Sequence, residues 1–235
     1  MITTILFDLD GTLLPMDQDK FIEAYVSGLT RKALPYGYDP RQMPSYIWKA
    51  TGAMYGNDGT LTNEEVFWNT FSALCGRNAR ADIAVFEDFY RNEFQNLRNT
   101  CGFDPRARAA IRQIKEMGFR VALATNPLFP AIATHSRVRW AGLEPEEFEL
   151  VTTYEASRHC KPSLAYYQDV MDALGVKPEE CAMVGNDAGE DMVAEKLGIR
   201  AFLLTDCLIN KAGADISQYP RGSFPELMDF IRDLK

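Results

Sequence analysis

Histidine is almost missing from this chain. His135 and His159 are the only two in 235 residues, too few and too isolated for a metal site built on imidazole. Cysteine excludes nearly as much. Cys75, Cys101, Cys160, Cys181 and Cys207 are odd in number and form no CxxC pair, which reads as reduced, mostly core-filling thiols in a cytoplasm. Cys160, beside Lys161, is the thiol whose reactivity invites a test. No apolar run approaches the roughly 20 residues that cross a bilayer, so no membrane is expected as a partner. The chain enters an apolar strand almost at once after Met1, which leaves no room for a secretory signal. Basic residues form no stripe, and the net charge is −8. That argues against a nucleic-acid polymer as partner. It also means that an anionic substrate would be held by local positive charge, not drawn in by the whole molecule. Internal repeats and low-complexity tracts are absent as well.

What is present is ordinary for a soluble globular protein: 46% hydrophobic and 25% charged residues. The length suits one large domain or a domain carrying an insertion. Residues 3–7 read as a first strand. From about Asp17 to residue 97 the spacing predicts helices instead. Phe21, Ile22, Tyr25, Val26 and Leu29 mark one, and a weaker one runs through Tyr46-Ile47-Trp48 towards Met54. Thr62-Asn63-Glu64-Glu65 has capping-box form and opens a third. The fourth carries Ile83, Phe86, Phe89, Tyr90, Phe94 and Leu97. Four amphipathic helices can form a small bundle of their own, so residues 16–99 are read as a helical insertion.

From Phe103 onward, strands and helices alternate. Helices are expected over 106–117, 131–140, 162–174, about 190–197 and 225–234. Strands are expected over 119–124, near 150–151, over 181–184 and over 199–204. This alternation predicts a parallel sheet covered on both faces.

Polar clusters end these apolar strands or lie just beyond them, where open α/β sheets bind ligands. Asp8-Leu9-Asp10-Gly11-Thr12 follows Ile5-Leu6-Phe7. Residues two apart share a strand face, so both acids can converge on one point, and Gly11 lets the backbone turn away. Thr125-Asn126, Lys161-Pro162 and Gly185-Asn186-Asp187-Ala188-Gly189-Glu190-Asp191 supply the other clusters. Each alone has a bland reading. Asp-Gly and Thr-Asn-Pro suit turns, Lys-Pro suits a helix start, and acids favour the first turn of a helix. Their joint order and placement are much harder to reach by accident.

With those clusters the chain resembles the haloacid dehalogenase superfamily, whose four motifs match DLDGT at 8–12, TN at 125–126, KP at 161–162 and GNDAGED at 185–191. The resemblance covers residues 1–15 and 100–235, and the insertion at 16–99 resembles the helical cap of that superfamily. It implies an α/β, Rossmann-like, doubly wound parallel sheet core with an inserted α-helical cap domain. The carried-over roles make Asp8 the nucleophile, Asp10 the general acid and then base, and Lys161 the fixed positive charge. Thr12 would help hold Asp10 in place. Thr125 and the Asn126 backbone N–H would bind phosphoryl oxygens. Mg²⁺ would be bound by Asp8, the Asp10 carbonyl and the fourth motif. Most relatives have Gly-Asp there, whereas this chain has Gly185-Asn186-Asp187. Either the Asn186 amide oxygen coordinates the ion or Asp187 does, and charge favours Asp187. Asp191 would support the metal shell or orient Lys161.

The expected activity is therefore a Mg²⁺-dependent phosphatase acting on a small phosphorylated metabolite through an aspartyl-phosphate. Asp10 weighs against a 2-haloacid dehalogenase, since an expelled halide needs no proton. A phosphomutase would share all four motifs. A non-catalytic phosphate-binding protein of the same fold would be expected to have lost Asp8, Asp10 or Lys161. Tyr25, Trp48, Tyr55 and Lys20 are candidates to line a cap pocket, although aromatics at helical spacing are more often core.

Overall fold

The computed structural model describes all 235 residues. Its centre is β1 (Thr4–Phe7), four buried residues that pair in parallel with β2 (Arg120–Leu123) on one side and β3 (Cys181–Gly185) on the other. Next to β3 runs β4 (Arg200–Leu204), and β5 (Arg221–Gly222) completes an all-parallel sheet of order β2-β1-β3-β4-β5. Alternation along the strands divides the apolar side chains between two faces. Ile5, Phe7, Val121, Leu123 and Val184 join one core with α5 (Pro105–Glu116), α6 (Ala131–Trp140) and α8 (Phe224–Arg232). Leu6, Ala122 and Met183 join another with α7 (Leu164–Leu174). A sheet buried on both sides in this way is the doubly wound α/β arrangement that the strand–helix alternation predicts. No helix is long and apolar enough to cross a membrane.

Three expectations need correcting, and one strand was not expected. The strand near 150–151 is a single bridge between Leu123 and Val151. The helix at 190–197 is a run of 3₁₀ turns, Met192–Leu197. It leaves a turn pinned by Asp187 and Asp191 and stops at Gly198 (φ +93°), and six residues are too few for a stable α-helix. The long fourth helix of the insertion breaks at Asn92, whose side chain bonds the Asp88 carbonyl and carboxylate in place of continuing the helix. Beyond it the chain continues as 3₁₀ turns over Glu93–Thr100. β5 went unforeseen because two residues, Arg and Gly, carry no hydrophobic pattern.

Within the insertion, α1 (Gln18–Ala33) is capped by Asp17. α2 (Met43–Tyr55) follows, then α3 (Asn63–Cys75) with the expected Thr62/Glu65 capping box, then α4 (Ile83–Arg91). These helices do not form a bundle with a core of its own. Phe94 stacks on Trp140 of α6 at 5.2 Å, and Tyr25 meets Phe129 edge-on at 5.1 Å. One apolar core therefore runs from α1 and α4 through α6 to the sheet. That rooting holds the insertion over the strand ends at which the polar motifs lie.

Candidate active site

β1 delivers Asp8 beyond Phe7, with the Asp8 N–H still donating to the Val184 carbonyl at 2.9 Å. Lys161 reaches in from the segment before α7 and is 1% exposed. Its Nζ donates to Asp8 Oδ1 at 2.9 Å and to Asp191 Oδ1 at 2.6 Å. Burial alone would push this ammonium down, but Asp191 and Asp8 hold it well above its ordinary value. Asp191, buried as well, sits above its usual range because burial outweighs the pull of Lys161. Its Oδ2 accepts the Asp187 N–H at 2.9 Å, so one carboxylate fixes both the lysine and the turn after β3. A Cβ on Gly185 would lie 2.1 Å from that oxygen, so the end of β3 has to be glycine.

Thr12 Oγ1 stands 3.2 Å from Asp8 Oδ2 and 3.0 Å from Asn186 Oδ1. Asn186 is buried, and its Nδ2 donates to the Cys207 carbonyl at 2.7 Å, which fixes the amide with its oxygen towards Thr12. Gly11, at φ +86°, packs so closely on this amide that a Cβ there would come 2.2 Å from Asn186 Nδ2. Asp187 turns the other way. Its Oδ1 accepts from the Gly189 and Glu190 amides at 2.7 and 3.0 Å and closes a local turn. The geometry thus brings Asn186 to Asp8, while the side chain of Asp187 is engaged elsewhere.

Thr125 follows the end of β2, and its carbonyl accepts from Thr152 at 2.6 Å and Tyr166 at 2.9 Å. Asn126 donates through Nδ2 to Glu190 Oε2 at 2.9 Å. Tyr55, from the end of α2, donates to the other Glu190 oxygen at 3.3 Å, and Asn126 Nδ2 lies 3.3 Å from its hydroxyl. Burial pushes Glu190 up to about 7, against the pull of Lys161.

Asp10 is gripped by a residue that sequence reasoning missed. Arg137 of α6 pairs through Nη1 with Asp10 Oδ2, and its guanidinium lies 4.3 Å above the Phe129 ring. Burial raises the Asp10 carboxyl while Arg137 pulls it back, and the net direction is upward. Asp10 Oδ1 is buried with no hydrogen-bond partner. A signal for Arg137 was available. Ala133, Thr134, Arg137, Val138 and Ala141 form a helical stripe that is entirely buried, and an arginine within such a stripe needs an acid to meet it. Cys160 is a different case. It is buried, and burial pushes its thiol up to about 12, which makes a reactive thiolate unfavourable.

The sequence pattern of haloacid dehalogenase-like hydrolases matches residues 2–196. The chain belongs to that family. Among curated relatives, a glyceraldehyde 3-phosphate phosphatase of Methanocaldococcus jannaschii is 25% identical over 242 residues, covering 100% of this chain and 99% of the relative. A phosphoserine phosphatase of Thermus thermophilus is 29% identical over 226 residues, covering 84% and 86%. Among solved structures, a 2-haloacid dehalogenase of Pseudomonas syringae superposes with a TM-score of 0.63 at 19% identity, covering 100% of both chains, which shows a shared fold.

Proposed function

We propose that this hydrolase is a Mg²⁺-dependent phosphatase that cleaves a small phosphomonoester through an aspartyl-phosphate on Asp8. The observation that carries the reading is the pair of acids at the end of β1 in unlike surroundings. Asp8 is buried and bound by Lys161 and Thr12, whereas Asp10 is partly exposed and paired with Arg137. Two carboxylates in different environments suit two different tasks.

Asp8 attacks phosphorus while Lys161 holds its carboxylate in place and offsets the charge gathered beside it. Burial moves Asp10 in the direction a general acid needs, so it can protonate the departing alkoxide and then take the proton of the attacking water. The Thr125 hydroxyl and the Asn126 N–H would bind the transferred phosphoryl oxygens, and Thr12 braces Asp8 directly. In a dehalogenase the proton on Asp10 would have no use.

The donors also suit a hard cation. Thr12 has one hydroxyl proton for two acceptors, Asp8 Oδ2 and Asn186 Oδ1, so one of these oxygens is always left without it. No backbone amide donates to the Asp10 carbonyl either. These oxygens would hold Mg²⁺, which would neutralise phosphoryl charge.

Release of inorganic phosphate from an aryl phosphate tests the reading: it should require added Mg²⁺ and stop on chelation. Folded protein that releases none with Mg²⁺ present would overturn it.

The ligand in the fourth motif can be assigned by two substitutions. Asn186→Asp should lower the Mg²⁺ concentration at half-maximal activity, because it adds a charge at Thr12. It should also destabilise the metal-free protein by about 1–2 kcal/mol, because the Cys207 carbonyl loses its donor. Asp187→Asn should leave the Mg²⁺ requirement where it is. A tenfold rise in that requirement would make Asp187 the ligand instead.

A further inference from the structure

Between the insertion and the core lies a cavity of about 440 Å³, within the size range of small-molecule sites. Seventeen of its 23 lining residues are hydrophobic. Val26, Ile47, Trp48, Phe67, Leu128 and Phe129 supply much of its wall. Protein interiors close-pack, so an apolar space of this size that no side chain of the chain fills is suited to an apolar occupant. Shared residues link the cavity to the neighbourhood of the motif residues. Tyr55 lines it, and the hydroxyl of the same side chain reaches Glu190 and Asn126. Leu128, two residues beyond Asn126, lines it as well.

The charges on the lining narrow the occupant further. Glu64, Glu87 and Glu155 are acidic, and Arg91 is the single cation. Arg91 is already paired with Glu87 at 2.9 Å. No free positive charge is left there for a second phosphate or a carboxylate on the far end of the substrate.

We infer that the leaving group of the substrate is an apolar, uncharged alcohol seated in this cavity, so that the substrate is an alkyl or aryl phosphate and not a small polar metabolite. This rests on the phosphatase reading. The bond from Asp8 to phosphorus forms as the bond from phosphorus to the alcohol oxygen breaks. That oxygen takes the proton of Asp10 and departs as the neutral alcohol. Water then releases phosphate from Asp8 and returns a proton to Asp10.

The test is kcat/KM with Mg²⁺ for ethyl, butyl, hexyl and octyl phosphate beside glycerol phosphate and phosphoglycolate. The inference expects a rise of roughly fourfold for each added methylene, and poor turnover of the two polar esters. Octyl phosphonate, which cannot be cleaved, should shift the emission of Trp48 and Trp68, both in the lining. Val26→Trp, which fills the cavity, should lower the ratio of octyl to ethyl turnover at least tenfold. Turnover that is flat along the series, or that favours the polar esters, overturns the inference and leaves the phosphatase standing. Phosphonate binding that survives Val26→Trp unchanged overturns the assigned place. If Mg²⁺ supports hydrolysis of none of the esters, the phosphatase reading fails and this one with it.

Discussion

Asp8→Asn will lower turnover by roughly 10⁴-fold or more, the scale on which removal of a covalent nucleophile acts. An amide oxygen is too weak a nucleophile to displace an alkoxide from phosphorus, and no neighbouring carboxylate can take its place. Asp10 is held by Arg137, and Asp191 is occupied by Lys161 and the Asp187 amide. The fold should persist. The new Oδ1 can still accept from Lys161, and the new amide can donate to Thr12, so no buried group is left without a partner. Rapid quenching followed by intact-mass measurement is the sharpest check. Wild type should carry one phosphoryl group during turnover and the variant none. Retained turnover would mean that the nucleophile lies elsewhere.

The parts of this molecule that follow from local pattern were legible in the sequence. An apolar run ending in two acids gave β1 and Asp8, and the capping box at Thr62 gave the start of α3. Lys161 was anticipated as a fixed charge and Asp191 as support for either that lysine or the metal shell; Asp191 Oδ1 accepts from the Lys161 ammonium at 2.6 Å. What escaped depended on contacts distant in sequence. Arg137 matters because α6 packs where Asp10 emerges, 127 residues away. Charge favoured Asp187 over Asn186 as the metal ligand. The turn after β3 instead spends that carboxylate on its own amides and sends Asn186 inward. The insertion misled in a similar way. Helical spacing in Phe21, Tyr25 and Phe94 says that these residues are buried, but not that Phe129 and Trp140 of the core would cover them.

Lys161→Met will abolish activity and lower stability by about 3–5 kcal/mol, the range for removing one partner from a buried charge pair. Methionine nearly matches the lysine stem in volume, so packing is preserved and the loss is electrostatic. Asp8 and Asp191 would be left facing each other, both almost fully enclosed, with no cation between them. The proton affinity of Asp191, already raised by burial against the pull of Lys161, must then rise further. A carboxyl with a folded pKa above its unfolded value favours the folded state as pH falls. The deficit against wild type should therefore shrink between pH 7 and pH 5 and be largest above neutrality. Urea unfolding at several pH values measures this directly. A double variant, Lys161→Met with Asp191→Asn, separates the two duties of the lysine. Removing one of the stranded charges should recover much of the stability and none of the turnover. A double variant as unstable as the single one would show that the lysine holds the fold by packing and not by charge. One that regained activity would show that Asp8 can attack phosphorus without a fixed positive charge beside it.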